Sequence, residues 1–125
     1  MKKIRVLSAF ILLIFTFSIL TVSAAAYDTY VSFSNRTIAS GEQSAVTSYT
    51  DLDSGKYTVV ISKNTNSCEL IAVLCSGDGT ISTEGTIYGT GNVTVKVSTD
   101  DSYRLNLRND DFDDTTVSGY FRSQS

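Results

Sequence analysis

The acidic stretch Asn109–Asp114 is the part of the chain richest in side chains that bind ions. It contains four closely spaced carboxylates, those of Asp110, Asp111, Asp113 and Asp114. Oxygen ligands of this kind suit Ca²⁺, a hard cation. The stretch is not an EF-hand, because Thr116 stands where the sixth position requires glycine and no glutamate closes the loop. Two interpretations follow, a calcium loop and a solvated turn whose charge blunts a sheet edge.

Cys68 and Cys75 are the two cysteines of the chain. An even count in a secreted chain favours a disulfide. One extended strand would hold them roughly 23 Å apart, whereas a bridge needs Cα atoms within about 7 Å. A bridge therefore requires this stretch to bend back, and the alternatives are buried free thiols or intermolecular pairing. A thiol nucleophile is not expected, because the sequence has no histidine to activate it.

The remaining polar motifs give weaker signals. Asp51 and Asp53 read as turn residues, although paired with Asp111 and Asp113 they form the carboxylate set of a hypothetical hydrolase. Ser54-Gly55-Lys56 is followed by tyrosine, so the phosphate-loop motif fails. No catalytic constellation is recognisable, and the sequence predicts a protein that is not an enzyme.

Tyrosine is frequent, with seven residues in the chain. On a sheet face, exposed tyrosines can stack on sugar rings. Aromatic residues are also common in strands and half-buried cores. Packing is the favoured interpretation, because the chain has no tryptophan, and a carbohydrate platform is the alternative.

Met1–Ala26 has the composition of a secretory signal peptide. Lys2, Lys3 and Arg5 precede the apolar run Val6–Leu20, and Ala24-Ala25-Ala26 offers small residues for cleavage. We expect cleavage after Ala26, or after Ala24, and a single secreted domain over residues 27–125. The style of the signal suggests a bacterium. No later segment is apolar enough to span a membrane.

The mature chain is acidic. Loss of three basic residues with the signal leaves seven basic against thirteen acidic side chains, a net charge of −6. That balance disfavours nucleic acid and anionic membranes as partners. Oligomeric state is not predicted by any of these features.

Alternating apolar residues dominate the mature sequence, and the central case is Asn92–Asp110. Two strands with alternating faces are expected there, joined by Ser98–Ser102 as a hairpin. Their inward faces are Val93, Val95, Val97, Tyr103, Leu105 and Leu107.

Strands are also expected along the rest of the chain. Tyr57–Ser62 and Cys68–Cys75 are expected as strong strands, and Thr80–Tyr88 as a weak strand with Ile81 and Ile87 as its anchors. Seven to nine short strands, with no helical period, predict an all-β fold, a small antiparallel β-sandwich.

From Ser54 onward the chain resembles the pre-peptidase C-terminal type of domain, a small bacterial β-sandwich. The matching segments are SGKYTVVIS, ELIAVLCSGDGT and GNVTVKVSTDDSYRLNLRN. Asp101-Ser102 stands where that family usually has Gly-Thr. The resemblance implies a β-sandwich that accompanies a secreted enzyme as a binding or folding module, and fold likeness alone assigns no function.

Two functional hypotheses from different classes follow from these features. The leading one is a secreted, non-enzymatic module that binds at the cell surface or to another extracellular ligand, such as cell wall. The alternative is a small secreted toxin or bacteriocin-like protein. No cofactor is expected apart from the calcium considered above.

Overall fold

The computed structural model describes residues 29–124, which form nine β-strands and no helix. The predicted signal peptide Met1–Ala26 lies outside these residues. In the described range there is consequently no helix long and apolar enough to cross a membrane. The strands are β1 (Tyr30–Ile38), β2 (Gln43–Ala45), β3 (Thr50–Leu52), β4 (Gly55–Asn64), β5 (Glu69–Ser76), β6 (Gly85–Tyr88), β7 (Gly91–Val97), β8 (Asp101–Asn109) and β9 (Thr115–Ser123).

Two antiparallel sheets face each other. Sheet A has the order β1-β9-β4-β7, and sheet B has the order β2-β8-β5-β6, with β3 also paired to β8. The facing sides bury one apolar cluster drawn from both sheets, which includes Phe121, Val59 and Leu105. The predicted fold class, an antiparallel β-sandwich of seven to nine strands, is confirmed.

The predicted hairpin over Asn92–Asp110 is wrong, although its buried faces are right. β7 pairs with β4 in sheet A and β8 pairs with β5 in sheet B, so the residues between them cross from one sheet to the other. Alternation identifies the buried face of a strand but not its partner. Five of the six predicted inward residues are fully buried, namely Val95, Val97, Tyr103, Leu105 and Leu107.

β1, an edge strand of sheet A, continues to Ile38 through a bulge, where Asn35 adopts a φ of 52°. Two local expectations differ from the structure. Thr80–Tyr88 forms a strand only from Gly85, because Ile81 makes a single isolated bridge to Cys75. Ile81 is 57% exposed and is therefore not an anchor, whereas Ile87 is buried as expected.

Asn64 holds together the end of the sandwich where β4 meets the loop to β5. Its amide nitrogen donates to the carbonyls of Cys68 and Gly89, at 2.9 and 3.0 Å. Its side-chain oxygen accepts from the Cys68 N–H and the Thr115 hydroxyl, at 3.1 and 2.6 Å. Every bonding group of this buried amide is therefore paired, which makes Asn64 a structural residue.

We expect Asn64→Leu to lower the free energy of unfolding by about 2 kcal/mol, because it leaves buried backbone groups without hydrogen-bond partners. Urea denaturation of both proteins measures the change. Asn92→Leu, at an exposed position of β7, is the control and should shift stability by no more than about 0.5 kcal/mol. Equal effects of the two substitutions would contradict the structural role.

Candidate functional site

The carboxylates of the acidic loop between β8 and β9 accept hydrogen bonds from backbone N–H groups of the loop itself and of neighbouring segments. Asp111 accepts from the N–H groups of Phe112 and Glu69, at 2.9 and 3.4 Å. Asp114 accepts from the Ser40 N–H at 2.9 Å. The bonds from Glu69 and Ser40 tie the loop to the start of β5 and to the segment between β1 and β2.

The other two carboxylates of the calcium hypothesis point elsewhere. Arg108 donates from Nε to Asp110 at 2.8 Å, and this bond is the main cause that lowers the pKa of Asp110. The Asp113 side chain is exposed. Among residues 29–124, no three acidic, cysteine or histidine side chains are placed to hold a metal ion. Calcium binding by Asp110, Asp111, Asp113 and Asp114 stays a prediction.

Asp51 and Asp53 lie at the opposite end of the sandwich. Asp51 pairs with Ser102 at the start of β8, whereas Asp111 follows the end of β8, so the strand separates them by roughly 24 Å. The combined set proposed for a hydrolase is therefore not formed. Asp51 and Asp53 line a polar cleft of about 420 Å³. Both side chains are exposed to solvent and so have similar surroundings, whereas a general acid and a general base need different ones.

Cys68 and Cys75 are both free thiols, and the bridge between them is not formed. Cys68 precedes β5 and Cys75 lies near its end, so the extended strand keeps them apart, as its geometry requires. Cys68 is buried and donates to the Asp113 carbonyl at 3.4 Å. Cys75 is partly exposed and accepts a hydrogen bond from the Asn106 amide at 3.3 Å. Intermolecular pairing through Cys75 stays open.

We expect a maleimide to modify Cys75 in the folded protein and Cys68 only after unfolding. Burial, as the largest cause, raises the pKa of both thiols above 9.0. The thiolate is the reactive form, so the rate at Cys75 should still be rising at pH 9. Mass spectrometry after timed labelling measures both sites. A rate at Cys75 that levels off below pH 9 would contradict the raised pKa.

The outer face of sheet B, turned away from sheet A, carries an unusual set of side chains. The registers place Cys75 beside Arg104, Val73 beside Asn106, and Ile71 beside Arg108. These residues alternate with the core residues of β5 and β8, such as Leu74 and Leu105. We call them the β5–β8 face, which comprises Ile71, Val73, Cys75, Arg104, Asn106 and Arg108.

Two polar atoms on the β5–β8 face have no hydrogen-bond partner within residues 29–124. They are Nε of Arg104, a donor, and Oδ1 of Asn106, an acceptor, and both are buried. Asn106 as a whole is only 8% exposed. A buried polar atom left unpaired costs about 1–3 kcal/mol, so the face carries a cost that the fold itself does not need.

Apolar and aromatic groups surround these atoms. Ile71 and Val73 are 8% and 5% exposed although they lie outside the core cluster. The Tyr49 ring lies over the Arg104 guanidinium with 5.0 Å between Cζ and the ring centre, a cation–π contact. Tyr88, near the far end of the face, is 74% exposed. The face therefore contains one unpaired donor and one unpaired acceptor among buried apolar residues, with the exposed rings of Tyr49 and Tyr88 at its margins.

One feature of the sequence indicates this outer face, although the alternation of apolar and polar residues does not. Cys68–Cys75 is apolar at nearly every position, as in a strand covered on both sides. A sandwich of two sheets covers only one side of each sheet, yet Ile71 and Val73, on the outer side of β5, are also buried. Arg104 and Asn106 lie on the side of β8 opposite the core residues Leu105 and Leu107, although Asn106 is itself buried.

No family model matches the chain, and no curated protein matches it. The resemblance to pre-peptidase C-terminal domains therefore stays a prediction. Among solved structures, the chain is similar to a carbohydrate-binding module, CBM6cm-2 from Cellvibrio mixtus lichenase 5A, in complex with cellotriose. The match has 10% identity and a TM-score of 0.46, and covers 80% of this chain and 92% of that one. At that TM-score the likeness carries no argument about function.

Proposed function

We propose that this protein is a secreted, non-enzymatic module that binds an extracellular ligand, such as cell wall, on the β5–β8 face. The observation that carries the proposal is the unpaired, buried Oδ1 of Asn106 beside the unpaired Nε of Arg104. Native structures pair nearly all such atoms, and exceptions call for a specific explanation. A ligand that supplies both partners is the explanation that also accounts for the apolar residues around them.

The chemistry of the β5–β8 face suits binding better than catalysis. A guanidinium stays charged and an amide does not titrate, so neither transfers protons near neutral pH. The thiol of Cys75 is a poor nucleophile, because burial raises its pKa. Hydrogen bonding and apolar contact are what this set of groups provides.

Co-sedimentation of the mature protein, residues 27–125, with purified cell walls and insoluble polysaccharides tests the proposal. Arg104→Ala should reduce retention at least tenfold. Arg36→Ala removes an exposed arginine from β1 in the other sheet and should leave retention unchanged. Parallel runs with calcium and with a chelator test the acidic loop separately, because only a calcium-dependent site is lost in chelator.

Each outcome of that experiment decides between hypotheses. Retention that Arg104→Ala removes supports binding through the β5–β8 face. Retention that only the chelator removes assigns binding to the acidic loop. Absence of retention under all conditions contradicts the proposal and favours the toxin alternative, for which killing or dye leakage of related bacteria is the direct assay.

A further inference from the structure

We infer that the ligand group recognised on the β5–β8 face is a neutral sugar, held through hydroxyl groups by Arg104 and Asn106. This inference rests on the proposed function and names the chemical class of its ligand. Three observations support it: the hydrogen-bonding requirements of two unpaired atoms, the apolar and aromatic side chains beside them, and the charge around the face.

The two unpaired atoms have opposite requirements. Oδ1 of Asn106 accepts only, so its partner must donate, and Nε of Arg104 donates only, so its partner must accept. Both side chains project from β8, two positions apart on one face and thus about 7 Å apart along the strand. A hydroxyl group both donates and accepts, so a ring that carries several hydroxyls satisfies the two atoms in either order.

The surroundings match the rest of a sugar ring. A pyranose has a hydroxyl rim and faces of C–H groups, which bind to apolar or aromatic surface. Ile71 and Val73 lie in register with Arg108 and Asn106 on the neighbouring strand, so apolar side chains adjoin the polar pair directly. Tyr49, which is 47% exposed, adds an aromatic ring beside Arg104.

An anionic ligand fits the β5–β8 face poorly. A carboxylate or phosphate group offers acceptors, so it would leave Oδ1 of Asn106 unpaired and place negative charge beside it. Arg108, the second arginine of the face, is already paired with Asp110 at 2.8 Å. The net charge of −6 on the mature chain further disfavours polyanions.

Access to the pair requires the groups that cover it to move. Both atoms are buried, yet every strand of the described residues belongs to one of the two sheets, so no third layer of strands covers this face. Tyr49 lies between β2 and β3, outside both strands, with its ring over Arg104. We expect rotation of Tyr49 and Arg104 to expose the pair to a ligand, whose hydrogen bonds offset the cost of that rearrangement.

The test is an NMR titration of the mature protein with soluble tetrasaccharides. The neutral panel contains oligomers of β-1,4-glucose, α-1,4-glucose, mannose, xylose and N-acetylglucosamine. Two chemical controls accompany each binder found, its fully O-methylated form and an oligogalacturonate of equal length. The resonances of the Asn106 side-chain amide and of Arg104 Nε–H report on the site directly.

We expect at least one neutral oligosaccharide to shift both resonances. The O-methylated form, which cannot donate to Asn106, and the oligogalacturonate should each bind at least tenfold more weakly. Asn106→Leu should weaken binding at least tenfold while keeping a folded spectrum. The matched control Asn92→Leu, at an exposed position of β7 in the other sheet, should bind as the unmodified protein does.

Other results overturn the inference, and they separate it from the proposed function. Cell-wall retention that Asn106→Leu removes, without binding of any neutral oligosaccharide, keeps the function and rejects the sugar. Equal binding of the O-methylated form rejects recognition through a donated hydroxyl. Concentration-dependent shifts of the same resonances without sugar, with dimers in sedimentation velocity, assign the face to a second copy. Loss of both retention and sugar binding rejects both proposals.

Discussion

Replacing Gly119 by alanine is expected to abolish stable folding, with a loss of about 4 kcal/mol or more in the free energy of unfolding. Gly119 lies in the middle of β9, opposite Phe33 on one side and Ile61 on the other, and both partner strands change register beside it. A Cβ there would lie 2.0 Å from the carbonyl oxygen of Val60. That neighbour is backbone of a paired strand, so it cannot move aside as a side chain does.

Gly77→Ala provides the control for this substitution. Gly77 lies in the turn after β5, and a Cβ there would meet only the Tyr49 hydroxyl at 4.0 Å, an ordinary contact. Its stability should change by no more than about 0.5 kcal/mol. Circular dichroism and urea denaturation measure both variants. A Gly119→Ala protein that unfolds at the same urea concentration as the Gly77→Ala protein would show that the strands around Gly119 are not as close as described.

Asn106→Leu is expected to change stability and binding in opposite directions. Leucine removes the unpaired acceptor and fills a position beside Val73, so the free energy of unfolding should rise by about 1 kcal/mol. Only one bond is given up, the weak one from the amide to the Cys75 sulfur at 3.3 Å. Retention on cell walls should fall at least tenfold, because the ligand loses its partner. Urea denaturation and co-sedimentation measure the two effects.

The contrast with Asn64 makes this prediction specific. Asn64 and Asn106 are equally buried, at 8% exposure each, and both can be replaced by leucine. Asn64 has four partners within the fold, so its replacement should destabilise the protein. If Asn106→Leu destabilises it by a similar amount, Asn106 is a structural residue and its carbonyl has a partner in solution.

The sequence was informative about burial and poorly informative about pairing. Val95, Leu105 and their neighbours were predicted as inward-facing and are buried, because burial follows from the period of two within one strand. The partner of a strand depends on residues far along the chain. The predicted hairpin failed for that reason, since β7 pairs with residues about 35 positions earlier and not with β8.

For the candidate site too, the sequence indicates the face on which a residue lies but not the residues beside it. Arg104 and Asn106 could be placed on an outward face from alternation alone. Their missing partners could not be predicted, because the register of β8 against β5 decides which side chains lie beside them. The acidic loop was conspicuous in the sequence, yet the structure turns its aspartates toward N–H groups and Arg108.

The position of β9 has a consequence for the order of folding. β9 is an internal strand of sheet A, and it joins β1 from the start of the domain to β4, with Tyr30 opposite Arg122. Sheet A therefore cannot close until the last residues of the chain are present. Folds dominated by such distant pairings form slowly, in about milliseconds to seconds. The native state therefore stays out of reach during synthesis until β9 has been added.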